Sequence, residues 1–155
     1  MIPITLDRLF AEPGVKAMQD GLSITIQEKW VVFGEKRLSY STAVKLVECC
    51  REYHWNKDIL SIETDYLDST VRSFTADFNS PIFIGDNIYV SYYVFNVGFK
   101  SYKLQVDLIK DGANNPSASF YLVSVFLDSS GKPCMIPQAA KTVLNKKKQS
   151  RLKSQ

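Results

Sequence analysis

A change of hydrophobic period constrains this chain more than any other feature. One stretch, residues 39–55 (SYSTAVKLVECCREYHW), spaces its apolar side chains as a helix does, and nearly everything after it alternates. Within that stretch Ala43, Val44, Val47, Cys50 and His54 recur at i, i+3, i+4 and i+7 and share a face. Leu46 and Tyr53 widen the arc, so the helix is predicted to be buried on most sides. Ser39 or Ser41 can cap its start, and Asn56-Lys57-Asp58 is expected to close it. Aromatic and β-branched runs follow at 70–78, 87–97, 101–109 and 117–127. Pro81, Gly98, Lys110-Asp111-Gly112 with Asn114-Asn115-Pro116, and Asp128-Ser129-Ser130-Gly131 punctuate them. Strands joined by such short turns are antiparallel. A further run at 23–33 precedes the helix and ends at Gly34. This order predicts an α+β fold, a curved antiparallel sheet of five to six strands wrapped around one long buried helix.

Composition removes other classes. The 155 residues are 45% hydrophobic and 23% charged, which excludes a disordered or collagen-like chain. No apolar run approaches the ~20 residues of a membrane span, and no signal peptide is read at the start. The net charge of +3 is concentrated at one end. The last ten residues carry five cations (Lys146, Lys147, Lys148, Arg151, Lys153) and no acid, and the other 145 carry 14 cations and 16 acids. A basic tail on a near-neutral body is not the footprint of a nucleic-acid-binding domain. Cys49, Cys50 and Cys134 have no framework spacing, which points to free thiols and a cytoplasmic protein. One histidine and no C-x-x-C pair give no metal site. The expected organisation is a lead-in at 1–22 with one helical turn near Leu9-Phe10, a domain at 23–137, and a basic tail at 138–155. That tail is helix-capable and expected to lie off the core.

Several short motifs occur in a telling order: Val71-Arg72-Ser73-Phe74, then Asp77-Phe78-Asn79-Ser80-Pro81, then Ile84-Gly85-Asp86. Val97-Gly98-Phe99-Lys100-Ser101 follows, then Ala118 in its strand, Asp128 to Pro133, and Ile136-Pro137. Across residues 23–137 this order resembles the hot-dog-fold acyl-CoA thioesterases of the 4-hydroxybenzoyl-CoA thioesterase type.

The resemblance implies a chemistry. In such enzymes backbone amides at the start of the buried helix polarise the thioester carbonyl, where unpaired N–H groups and the helix dipole favour developing negative charge. Those amides would belong to about Ser41, Thr42 and Ala43, with Thr42 where the family often has Asn. One branch of the family carries an Asp ahead of a Gly before the helix. The matching places here are Val31 and Phe33, so that acid is absent and Glu35 is the nearest carboxylate. Another branch uses a Glu inside the helix, where Glu48 fits. Glu48 can equally form an ion pair with Lys45 or Arg51. Asp65 and Asp68 before the next strand are further candidates. Arg72, Lys100, Lys103 and Lys132 could meet coenzyme A phosphates, with Gly98 and Ser101 beside them. Each lysine can also be an ordinary solvated side chain.

His54, expected at the helix end, reads as a packing or capping residue whose charged form the helix terminus favours. Hot-dog dehydratases place a His near the helix start, and none is there. Adjacent Cys49 and Cys50 read as core thiols. The implied substrate is acyl-CoA or an acyl-carrier protein, with coenzyme A as part of the substrate and no other cofactor. The implied assembly is a homodimer or a dimer of dimers. The other class left open is a non-catalytic acyl-binding or assembly protein.

Overall fold

The computed structural model describes residues 4–32, 34–62 and 67–154. In chain order the elements are α1 (Leu6–Phe10), β1 (Val15–Met18), β2 (Gly21–Thr25), a 3-10 turn (Glu28–Trp30), α2 (Tyr40–His54), a π-helical turn (Trp55–Leu60), β3 (Asp68–Phe78), β4 (Asn87–Val97), β5 (Ser101–Lys110), β6 (Ala118–Leu127) and α3 (Gln138–Ser154). The six strands form one antiparallel sheet in the order β1-β2-β4-β5-β6-β3. With the long α2 this is the α+β hot-dog architecture that the sequence predicts.

Two compact units make up the chain. The first comprises Met1–Tyr53, Asp77–Tyr92 and Val106–Ser119. Its core holds Leu22, Ile24, Leu46, Val47, Ile88 and Val90, all essentially without solvent contact. The second comprises His54–Ala76, Tyr93–Gln105 and Phe120–Gln155. Phe126 anchors its core, with Trp55 5.1 Å and Tyr102 5.7 Å away between ring centres, both edge-on.

The helix starts as its sequence dictates. The Thr42 N–H donates to Ser39 Oγ at 3.1 Å, and the Ala43 N–H donates to the Ser39 carbonyl at 3.0 Å, so Ser39 is the N-cap. Thr42, Ala43, Leu46, Val47, Cys49, Cys50 and His54 are buried, and Val44 is only half so.

Four expectations are corrected. The run at 23–33 is not one strand: β2 stops at Thr25, opposite Asn87, and Ile26 is held by the turn ahead of β4, its N–H donating to the Asp86 carbonyl and its carbonyl accepting from the Gly85 N–H. The chain then turns through Glu28–Trp30, and Phe33 lies outside the described residues. The lead-in contributes β1, paired to β2 across a turn at Gly21. Gly21 has φ 153°, and a Cβ there would run into the Val90 carbonyl, so this crossing needs glycine. Asn56-Lys57-Asp58 does not end the helical path. Trp55–Leu60 continues it as a π-turn because Trp55 and Ile59 are buried. His54 is therefore interior, with no accessible surface, and its pKa is lowered by burial rather than favoured as a cation at a helix end. The tail is not all off the core either. Ala140 and Leu144 of α3 are buried, and Lys147 pairs with Asp58 at 3.0 Å.

Candidate active site

The segment that leads into α2 is fixed by backbone pairing. Val31 bridges to Leu38 and Arg37 to Phe83, while the Leu38 N–H donates to the Ile82 carbonyl at 2.7 Å. The Ser39 N–H donates to the carbonyl of buried Trp30. Asp86 Oδ2 accepts the Phe83 N–H at 2.8 Å and closes the turn that carries Pro81 to Ile84. Residues 37–43 and 78–83 are thereby set against each other.

Between them lies a pocket of about 170 Å³. Its buried lining is apolar: Leu38, Ala43, Ile82, Leu108 and Ala118. Its mouth carries the exposed rings of Tyr40 and Phe78, which touch at 4.4 Å between centres. Arg37 is the one charged lining residue. Its guanidinium carbon sits 5.0 Å from the centre of the Tyr40 ring, and its Nε and Nη2 both donate to Glu35 Oε2, at 3.1 and 2.7 Å. The Glu35 carboxylate raises the Arg37 pKa, so the guanidinium stays charged.

The first turn of α2 stands at this mouth. Ser39 Oγ takes the Thr42 amide, and its own hydroxyl donates to Thr42 Oγ1 at 2.7 Å. Ser41 Oγ is 3.3 Å from Ser39 Oγ. Among the described residues no acceptor serves the Tyr40 and Ser41 N–H groups. These are the donors that a helix N-terminus leaves for an anion or a polarised carbonyl. Thr42 itself is buried and engaged in the cap.

The two leading carboxylates pair with different arginines. Glu35, on the exposed turn after Gly34, pairs with Arg37. Glu48 pairs with Arg51 at 3.6 Å and keeps 41% of its side-chain surface open. Seven residues separate it from Ser41, which places it on the same stripe of α2, about 10 Å along the axis. Asp68 caps the start of β3 through the Ser69 N–H at 2.7 Å, and Asp65 lies outside the described residues.

The candidate substrate-binding residues belong to the second unit. Arg72, Lys100, Lys103 and Lys132 are exposed, and Ser101 is half-buried. The Gly98 N–H donates to the Ser101 carbonyl at 2.8 Å, and a Cβ on Gly98 would approach that oxygen to 3.1 Å, so the pair forms a tight β4–β5 turn. The thiols are quiet. Burial pushes Cys49 up to about 11 and also raises Cys134. Among the described residues no group of three His, Cys, Asp or Glu side chains could hold a metal.

Sequence reasoning missed Arg37, Tyr40 and the pocket lining. Arg37-Leu38 directly ahead of the N-cap was the available signal, together with the small residues Ala43 and Ala118.

No protein-family model matches the chain, and no curated protein matches it by sequence. Solved structures do match. A predicted thioesterase from Bacillus stearothermophilus is 16% identical, with 81% of this chain and 92% of that one covered at TM-score 0.71. A Thermus thermophilus thioesterase, solved with coenzyme A and Zn, is 16% identical over 85% and 98% at TM-score 0.70. A 1,4-dihydroxy-2-naphthoyl-CoA thioesterase from Synechocystis is 12% identical over 81% and 95% at TM-score 0.68. The chain has the hot-dog fold of these thioesterases.

Proposed function

We propose that this protein hydrolyses acyl thioesters, of coenzyme A or of an acyl-carrier protein, at the start of α2. The observation that carries the reading is a pocket, apolar at its buried end, that opens beside two first-turn amides with no acceptor among the described residues. A thioester carbonyl oxygen accepts from the Tyr40 and Ser41 N–H groups, and the acyl group lies in the pocket. Water adds to the carbonyl carbon, the oxyanion is held by those amides and the dipole, and the C–S bond breaks to release the thiol and the acid. Glu48 takes the proton of the attacking water, or attacks directly, and Glu35 is the alternative. Arg72, Lys100, Lys103 and Lys132 are the candidate contacts for coenzyme A phosphates.

The fold likeness to a 1,4-dihydroxy-2-naphthoyl-CoA thioesterase and to a thioesterase solved with coenzyme A supports this reading. So does the edge strand β3, eleven residues long with Phe74 and Phe78 exposed, which suits pairing with a second copy. A homodimer or dimer of dimers follows, at twice or four times 17.6 kDa by light scattering. Free, mostly buried thiols and the absence of a membrane-spanning helix among the described residues fit a cytoplasmic setting. The second reading, a non-catalytic acyl binder, is favoured by one observation: both leading carboxylates are engaged by arginines. Release of free coenzyme A from a panel of acyl-CoAs separates the two. Turnover lost in Glu48→Gln assigns the base, and turnover that survives both Glu48→Gln and Glu35→Gln removes the assignment. No turnover on any thioester leaves the binding reading.

A further inference from the structure

We infer that the pocket limits the acyl group to about six non-hydrogen atoms, and that Ala118 and Ala43 set this limit. The inference rests on the thioesterase reading for its substrate and on the pocket alone for its size. An apolar cavity of roughly 150 Å³ accommodates one benzene molecule, so the 170 Å³ here, apolar at its buried end and open at its mouth, seats a six-carbon chain or one ring, and any longer chain leaves its remaining carbons in water.

The inner wall is closed. Leu108 is inaccessible to solvent, and Ala43, Ala118, Leu38 and Ile82 are each at most 5% exposed. Ala43 follows the first-turn amides on α2, and Ala118 opens β6, so two methyl groups stand where larger side chains would fill the space. The neighbours are backbone-paired and cannot withdraw at no cost: Leu38 donates to Ile82, and Leu108 accepts from Ser117 at 2.8 Å. Deepening the pocket would mean breaking those pairs. The mouth differs. Phe78 is 42% exposed and meets the Tyr40 ring at the mouth, so truncating it widens the mouth and leaves the buried wall in place.

Each methylene transferred from water into the pocket raises kcat/KM about fourfold until the space is full. Acetyl-, butyryl-, hexanoyl-, benzoyl-, decanoyl- and palmitoyl-CoA, assayed by coenzyme A release, should therefore rise to hexanoyl and fall at least tenfold by decanoyl. Ala118→Leu adds three carbons to the inner wall and should move the optimum to acetyl or butyryl. Phe78→Ala should move it past hexanoyl while the fold is kept. An optimum at ten carbons or more, or one unmoved by both variants, overturns the inference.

If no thioester turns over, hydrolysis fails as a reading, and calorimetry with intact hexanoyl-CoA then decides the pocket. Binding at least tenfold tighter than free coenzyme A, and weakened in Ala118→Leu, supports the limit. Equal binding of the two ligands refutes it.

Discussion

Replacing Ser39 by alanine probes both the helix start and the surface it presents. Two bonds are removed. Thr42 loses the acceptor of its amide at 3.1 Å, and the Thr42 hydroxyl loses its donor at 2.7 Å. Loss of an N-cap costs about 1 kcal/mol. Thr42 is only 4% exposed, so water replaces the second bond poorly, and its loss adds about 0.5–1 kcal/mol. The sum of about 1.5–2 kcal/mol lowers Tm by roughly 4–6 °C in a chain of this length. Urea unfolding followed by far-UV dichroism measures it, with an unchanged m-value as the sign that only the folded state was touched. Ser39→Asp keeps an acceptor for the Thr42 amide, and the Thr42 hydroxyl can turn round to donate to the carboxylate, so most of the loss should be recovered. Stability of Ser39→Ala within about 0.3 kcal/mol of the parent, or of Ser39→Asp no better than Ser39→Ala, would refute the capping argument.

Gly21→Ala should cost about 2–3 kcal/mol, read as a lower urea midpoint, because the new Cβ meets the Val90 carbonyl on the neighbouring strand. Burial holds His54 below its ordinary 6.5, with Lys147 and Lys57 pushing the same way and Asp58 opposing. The unfolded chain thus binds that proton first. Stability is constant above 6.5 and falls as pH drops below it, and urea midpoints at about pH 8 and about pH 5.5 should show a smaller drop in His54→Gln. A thiol reagent at about pH 8 should modify Cys134 well before Cys49, whose thiol burial pushes up to about 11, and the reverse order in mapped peptides would contradict this. Glu48→Gln should change stability by less than about 0.5 kcal/mol, since its carboxyl side chain keeps 41% of its surface open and stands 3.6 Å from Arg51, so lost turnover in that variant would not be lost folding.

Strand β4 was legible residue for residue at 87–97, because β-branched and aromatic residues fill a run bounded by Asp86 on one side and Gly98 on the other. The helix was legible from its capping serine and its period. Strand β1 was not: Val-Lys-Ala-Met carries little β signal, and it sits at the sheet edge where β2 alone pairs with it, a tertiary fact. The π-turn was hidden because Asn56-Lys57-Asp58 reads as a stop, while burial of Trp55 and Ile59 on either side overrides it. The pocket was hidden for a different reason. Leu38, Ala43, Ile82, Leu108 and Ala118 are ordinary core residues in any local window, and only the tertiary fold gathers them. The two carboxylates were legible as candidates, and so was Arg51 three residues on from Glu48; Arg37 was not, because its pairing with Glu35 depends on the turn between them.

The central claim is that the first-turn amides of α2 hold the thioester carbonyl. Tyr40 occupies the first helical position, where proline is accommodated, so Tyr40→Pro and Tyr40→Ala both remove the ring and differ in one backbone N–H. The measurement is kcat for the two variants on the same acyl-CoA. The account predicts that Tyr40→Pro is slower by about 10²–10³-fold, the cost of one oxyanion donor, at equal thermal stability. Equal kcat in the two variants would contradict it.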